Sequence, residues 1–113
     1  MGIIVKRGAS IEGCGPEILL AAIKIEPLYA MLSVDLVITS GSEEYKHSSH
    51  RSAHYRGDAQ DWRIKSIPKQ DRKKLLKAIK RKLGPDYVVI HENIGTPQEH
   101  IHAHWSPVFG GRS

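Results

Sequence analysis

Six residues near the end of the chain, His100–Trp105, alternate strictly between histidine and apolar residues in the order HIHAHW. A period of two is that of a β-strand, in which successive side chains point to opposite faces of a sheet. We therefore predict a strand here, with the imidazoles of His100, His102 and His104 on one face. Any fold of this chain must then contain a sheet with three titratable rings on the same side.

The residues before this strand predict its neighbours. Residues 86–93, DYVVIHEN, form a second predicted strand, and the turn IGTPQE indicates that the two strands lie side by side. Residues 68–84 predict an amphipathic helix that stops at Gly84. Its inward-facing residues are predicted to be Leu75, Leu76, Ile79 and Leu83.

The N-terminal half predicts one more helix and one more strand. Residues 16–32 begin with Pro16, which suits a first helical position, and Pro27 is expected to kink the helix or end it early. Residues 34–40 alternate and are rich in β-branched side chains, so they predict a strand. Residues 43–66 show neither period and are predicted to be a long functional loop. The apolar face of the helix is predicted to contain Ile18, Ala22, Ile25 and Tyr29.

These elements predict a single α+β domain over residues 1–113. Their order is helix, strand, long loop, helix, strand, strand, which favours a small antiparallel sheet with the helices packed on one side. At 113 residues, of which 40% are hydrophobic and 26% charged, the chain is long enough for one core and too short for two ordinary ones. We expect it to be a monomer.

The charge balance favours anionic partners without choosing among them. The chain has 17 Lys and Arg against 12 Asp and Glu, for a net charge of +5. The lysines of residues 68–84 are interpreted as a solvated helix face, because no aromatic residues are interleaved with them, and no nucleic acid is expected as a partner. The single cysteine, Cys14, permits no intramolecular disulfide and no Cys-based zinc site.

No stretch of sequence approaches the ~20 apolar residues that a membrane-spanning helix needs, and the first residues, MGIIVKRGAS, show no signal-peptide pattern. We therefore expect a chain that is synthesised in the cytoplasm without a signal peptide and that has no transmembrane segment. If the protein acts outside the cell membrane, another component must carry or release it there.

The histidine strand has potential partners in the long loop, where His54 and Asp61 lie seven residues apart. Imidazole and carboxylate groups together suit zinc, which is held by three protein ligands when a catalytic water takes the fourth position. Glu99 precedes His102 by three residues, where a turn could aim its carboxylate at that water. The sequence thus contains the residues of a zinc site, divided between two segments.

Two motifs in these segments resemble a known family. Residues 52–61, SAHYRGDAQD, match the pattern Ser-x-His-x-x-Gly-x-Ala-x-Asp at all five fixed positions, and residues 99–102, EHIH, match an acid, two residues and a histidine. In both motifs the chain resembles the zinc D-alanyl-D-alanine dipeptidases and carboxypeptidases. That family also contains phage L-alanyl-D-glutamate endopeptidases and shares its fold with the hedgehog signalling domain. The resemblance covers residues 34–105, most of the chain.

The resemblance implies a hedgehog-like fold and a zinc metallopeptidase that cuts peptidoglycan stem peptides at a bond involving a D-residue, as a carboxypeptidase or an endopeptidase. It implies that His54, Asp61 and His102 ligate one Zn²⁺ per chain and that Glu99 is the general base. A phage-type lytic enzyme, or endolysin, that is released to act on the cell wall fits the expected lack of a signal peptide.

Other residues keep open roles. His104 is an alternative to His102 as the ligand, because the two share a face. Gly57 is expected to adopt a positive φ between the two loop ligands. Four residues are predicted to touch the substrate or to support a ligand: Ser52, Arg56, His100 and His104.

One departure from the family pattern concerns the oxyanion of the tetrahedral intermediate. The family stabilises it with an arginine after the strand end, whereas this chain has SGSEEYK at residues 40–46. Lys46, Arg51 and Arg56 are candidate replacements, because the need is for a positive donor near the developing charge. The alternative function is therefore a zinc-bearing cell-wall-binding module of the same fold, with weak catalysis or none.

Overall fold

The computed structural model describes residues 1–43, 53–54 and 56–108. Within these ranges the strands are β1 (Ile3–Val5), β2 (Leu36–Ser40), β3 (Ala59–Arg63), β4 (Tyr87–Glu92) and β5 (His100–Trp105). Helix α1 (Pro16–Ala30) lies between β1 and β2 in the chain, and helix α2 (Lys69–Leu83) lies between β3 and β4. The predicted α+β class is confirmed.

The five strands form one mixed sheet in the order β1, β2, β3, β5, β4. β1 pairs with β2 in parallel, and the other three pairs are antiparallel. The prediction of an antiparallel sheet was therefore wrong for β1, a three-residue strand that the sequence analysis missed. Helix α1 provides the crossover connection that parallel neighbours need. β4 and β5 lie side by side, as predicted.

Strand β3 lies inside the segment predicted to be a long loop, so that prediction was wrong for Ala59–Arg63. The cause is Gln60, which is fully buried opposite Ala103 of the core. Its side-chain oxygen accepts a hydrogen bond from the Trp62 indole at 2.9 Å. A buried glutamine in place of an apolar residue breaks the alternation that indicates a strand. β3 nevertheless lies at the centre of the sheet.

Helix α1 buries the face that the sequence predicts, since Ile18, Ala22, Ile25 and Tyr29 are all buried. Pro27 lies inside the helix, which continues to Ala30, so the expectation that Pro27 ends the helix early was wrong. The Tyr29 hydroxyl donates a hydrogen bond to the backbone carbonyl of Arg63 at 2.9 Å. This contact links the last turn of α1 to the end of β3.

Helix α2 also agrees with its predicted face. Leu75, Ile79 and Leu83 are buried, and Leu76 is partly buried against the same core. Gly84 follows the helix with a φ of +80° and ends it, as predicted. Across the described ranges, neither helix has the combination of length and apolar character that crossing a membrane requires.

One core joins both helices to one face of the sheet. The strands contribute Leu36, Ile38, Trp62, Val89, Ile101 and Ala103 to it. Because side chains alternate along β5, the burial of Ile101 and Ala103 in this core places His100, His102 and His104 on the opposite face. The helices therefore cover one side of the sheet, as predicted, and the histidines lie on the other.

Gly57 joins the turn that carries His54 to the start of α1. Its φ is +75°, as the sequence predicts, and its carbonyl accepts a hydrogen bond from the Gly15 amide at 2.8 Å. A Cβ atom added at Gly57 would lie 2.0 Å from the carbonyl oxygen of Gly13. The turn and the helix N-terminus are thus packed backbone against backbone, without room for a side chain.

We predict that Gly57→Ala lowers the free energy of unfolding by about 2–4 kcal/mol, because it combines an unfavourable backbone conformation with a steric clash. Gly95→Ala is the matched control, since Gly95 has a φ of +82° but no atom within 4 Å of an added Cβ. Its cost should be about 1 kcal/mol. Urea unfolding followed by circular dichroism measures both, and equal costs would contradict the close packing at Gly57.

Candidate metal centre

His54, Asp61 and His102 come together on the face of the sheet opposite the helices. Asp61 Oδ1 lies 3.3 Å from His54 Nε2 and 3.0 Å from His102 Nδ1. One potential ligand atom from each residue lies within 4.8 Å of the others, so a single metal ion could contact all three. The structure therefore joins the two sequence segments into a candidate metal-binding group.

The pairing of β3 with β5 sets two of these side chains next to each other. Asp61 lies directly opposite His102 in the antiparallel register. Directly opposed residues point to the same face, with their Cβ atoms about 5 Å apart. Strand β3, which was predicted to be part of a loop, is therefore the element that holds Asp61 beside His102.

His54 reaches the same point from the turn before β3. Its Nδ1 lies 2.8 Å from the carbonyl oxygen of Gly41, and the residue is only 5% exposed. Because a carbonyl oxygen only accepts hydrogen bonds, Nδ1 carries a proton, and Nε2 is the atom available to a metal ion beside Asp61. A histidine that ligates a metal is commonly oriented by such a bond from its other nitrogen.

Gly41 is held in turn by the buried carboxylate of Glu43. That carboxylate accepts hydrogen bonds from the backbone amides of Ser10 and Gly41, each at 2.8 Å, and from the Ser40 hydroxyl. Burial alone would raise the pKa of Glu43, but these hydrogen bonds outweigh burial and leave the pKa below its ordinary value. The supporting role of Glu43 could not be predicted from its neighbours in sequence, because it depends on the distant Ser10.

His104 contacts the side of His102 that faces away from Asp61. The distance between His102 Nε2 and His104 Nδ1 is 2.9 Å, while Nδ1 of His102 faces the carboxylate. Among the described residues, His104 belongs to neither group of potential metal ligands. Of its predicted roles, the geometry favours support of the ligand His102.

A second group of potential ligands shares Asp61 with the first and consists of Asp61, Glu92 and His100. His100 Nε2 lies 2.8 Å from Glu92 Oε1 and 3.6 Å from Asp61 Oδ2. His100 thus supports a candidate ligand, within the range of roles predicted for it. Glu92 was not among the predicted site residues. It lies opposite His100 in the β4–β5 register, so the predicted pairing of these two strands was the signal that could have identified it.

Glu99, the expected general base, is buried and bonded to other residues. Its Oε1 lies 3.0 Å from Arg72 Nη1, its Oε2 lies 2.7 Å from His91 Nε2, and it accepts a hydrogen bond from the Gly95 amide at 3.2 Å. Burial alone would raise the pKa of Glu99, but the Gly95 amide, His91 and Arg72 outweigh burial and hold the pKa below its ordinary value. The structure does not bring Glu99 into the group formed by His54, Asp61 and His102.

Four further residues are candidate substrate contacts or candidate donors to the oxyanion. Ser52, Lys46 and Arg51 lie outside the described residues. The guanidinium of Arg56 is exposed and lies 3.3 Å from the carboxylate of Asp58. Arg56 is thus paired with an acid of its own loop, and its role at the site stays a prediction.

A cleft of about 490 Å³ opens beside the candidate metal centre. Asp61, His100 and Glu99 are among the residues that line it. Three cationic residues, which the sequence analysis did not single out, also line it: Lys6, Arg63 and Lys65. The cleft therefore combines potential metal ligands with positive charge, a combination that suits an anionic ligand.

Comparison with known proteins assigns no family to the chain. No family model matches it, and no curated protein matches it either. Support for any function therefore comes from the residues of the two motifs and from the geometry around them.

The pKa values of His54 and Asp61 shift in opposite directions because the two side chains interact. Burial alone would lower the pKa of His54, but Asp61 and the Gly41 carbonyl outweigh burial and raise it above its ordinary value. Burial alone would raise the pKa of Asp61, but His102 and His54 outweigh burial and hold it well below its ordinary value. Without a metal ion, the cluster is therefore most favourable when Asp61 is ionised and His54 is protonated.

We predict that the metal-free protein loses stability between pH 6 and pH 8. A histidine with a raised pKa stabilises the fold fully below its unfolded value of about 6.5, and this contribution is lost as the pH rises through the folded value. In Asp61→Asn most of this decline should disappear, because the partner of His54 is gone. Asp58→Asn is the control, since that carboxylate pairs with Arg56, and it should keep the decline.

Urea unfolding in the presence of a chelator, at several values between pH 6 and pH 8, measures this dependence in the three proteins. A decline of wild-type size in Asp61→Asn would show that the His54–Asp61 contact is not its source.

Proposed function

We propose that the chain is a zinc metallopeptidase that hydrolyses peptide bonds of peptidoglycan stem peptides, as an endopeptidase or carboxypeptidase. The observation that carries this proposal is the convergence of His54, Asp61 and His102, which lie in two separate motifs that resemble those of the zinc D-alanyl-D-alanine peptidases. Release to the cell wall, as in phage lysis, is the setting in which such an enzyme would act.

The donor set supports zinc as the metal. Two imidazoles and one carboxylate are ligands that zinc accepts at tetrahedral positions, and a set of three protein ligands leaves the fourth position for water, as in catalytic zinc sites. The Gly41 carbonyl and His104 would orient the two imidazoles, which is the supporting role that neighbours of metal ligands have in such centres. When bound, zinc supplies the Lewis acidity that lowers the pKa of a water molecule and polarises a peptide carbonyl.

The family resemblance assigns the transfer of the proton to Glu99. Glu99 is among the residues that line the same cleft as Asp61. Its carboxylate, however, bonds Arg72 of α2 and His91, and His91 lies opposite Ile101 on the helix side of the sheet. To act as the base it must exchange its contacts with Arg72 and His91 for a contact with the water. A pKa held below the ordinary value also makes the carboxylate a weaker base, so substrate binding would have to displace its cationic partners.

The cations of the cleft fit the proposed substrate. A stem peptide carries carboxylates on its side chains and at its end, and Lys6, Arg63 and Lys65 line the cleft beside Asp61. Arg63 follows Asp61 by two residues in β3, so both side chains point to the same face of the sheet. We propose that Arg63 supplies the positive charge that the family obtains from the arginine missing in this sequence.

The second candidate function is a zinc-bearing module that binds the cell wall without cutting it. The observation that favours it is the engagement of Glu99 with Arg72, His91 and the Gly95 amide, which leaves the expected base occupied. Both functions require the metal and the same anionic ligand, so only turnover distinguishes them.

We predict that the zinc-loaded protein shortens or cleaves stem peptides, and that Asp61→Asn abolishes both zinc binding and cleavage. The reason is that Asp61 contacts both imidazoles and has no replacement in its group. Mass spectrometry of muropeptides after incubation reports the activity and the bond that is cut. If the wild type binds zinc stoichiometrically but leaves every stem peptide intact, the binding module is the correct function.

A pair of variants tests the base. We predict that Glu99→Gln keeps its zinc but loses at least about 100-fold in kcat, the usual contribution of general base catalysis. Arg72→Gln removes the other side of the same ion pair and should retain most of the activity. If Glu99 has only a structural role, the two variants should lose similar stability and keep similar activity.

A further inference from the structure

Three neighbouring strands bring a second set of metal-ligating side chains to the cleft. Glu92 of β4 lies opposite His100 of β5, and Asp61 of β3 points to the same face. One potential ligand atom from each lies within 4.8 Å of the others. This set is built on regular strands, so its geometry is fixed by the sheet.

The hydrogen bonding of His100 leaves one of its nitrogens facing two acids. Nδ1 lies 2.7 Å from the carbonyl oxygen of Gln98, and a carbonyl only accepts, so Nδ1 donates. Nε2 then faces Glu92 Oε1 at 2.8 Å and Asp61 Oδ2 at 3.6 Å. Nε2 and the two carboxylate oxygens therefore converge on one region, where a single metal ion could contact all three.

The two oxygens of Asp61 face different sets of histidines. Oδ1 faces His54 and His102, and Oδ2 faces His100. A carboxylate whose two oxygens face different groups of ligands can bridge two metal ions. In two-metal sites the ions lie about 3.5–4 Å apart. The Asp61 carboxylate therefore offers one oxygen to each group of potential ligands.

We propose that Asp61, Glu92 and His100 form a second divalent-metal site, bridged to the first by the Asp61 carboxylate. One imidazole and two carboxylates suit zinc or manganese. The second site lies on the cleft side, because Asp61 and His100 line the cleft. It binds more weakly than the first site, because the Glu92 side chain is 40% exposed and the ligands of the first site are more deeply buried. The proposal rests on the metal centre of the proposed function through Asp61 alone.

Zinc titration of the metal-free protein, followed by native mass spectrometry and calorimetry, tests this site without any measurement of activity. The wild type should bind two zinc ions per chain, the second more weakly than the first. Glu92→Gln should bind one, with the affinity of the first site, while Glu12→Gln, which changes an exposed acid outside both groups, should bind two. His100→Gln is the second variant, and it should also bind one.

The possible failures of the two proposals differ. A single zinc ion in the wild type, with an affinity that Glu92→Gln and His100→Gln leave unchanged, would overturn the second site and leave the first intact. The absence of zinc binding in the wild type would overturn both. Urea unfolding of Glu92→Gln and His100→Gln confirms that a lost ion does not reflect a lost fold.

Discussion

The pairing of β3 with β5 is the interaction on which both the core and the candidate metal centre depend. It sets Trp62 opposite Ile101 on the helix side and Asp61 opposite His102 on the other. Trp62 and Ile101 are fully buried, and burial of a large apolar side chain contributes about 1.5–3 kcal/mol. The Asp61 carboxylate, by contrast, carries a desolvation cost that its histidine partners must offset. Apolar burial on one face thus stabilises a concentration of polar groups on the other.

The loop half of the centre depends on contacts between distant parts of the chain. The Gly41 carbonyl orients His54, Glu43 holds the Gly41 amide, and the same carboxylate holds the amide of Ser10. A buried polar network of this kind is stable only when all its members are satisfied, because an unpaired group in a low-dielectric interior is costly. The position of His54 is therefore set by residues on both sides of α1, and not by the motif that contains it.

The predictable parts of this molecule are those with strong local patterns. Helix α2 and strand β5 have clear periods, and the structure places them where the sequence predicts. Strand β3 was missed because Gln60 is buried and bonded to Trp62, and the parallel pairing of β1 depends on where α1 returns the chain, which no local pattern reveals. Within the site, the two motifs predicted that His54, Asp61 and His102 would lie together, whereas Glu99, which they also assigned to the site, lies outside this group. The position of Glu92 beside His100 depends on the register between β4 and β5, which the sequence does not reveal. The contacts of Glu99 depend on Arg72, which is 27 residues away.

Histidine and apolar side chains alternate along β5, so metal binding at this sheet depends on the register in which β5 pairs with β3. If β5 slipped by one residue along β3, its imidazoles would turn into the apolar core, and Ile101 and Ala103 would take their places on the outer face. In such a form His102 would not lie beside Asp61, so a metal ion would bind only the native register. By mass action, the ion would then shift the equilibrium from the slipped forms toward the native register. A metal ion at this sheet would therefore select among competing folds of the chain as well as complete a site.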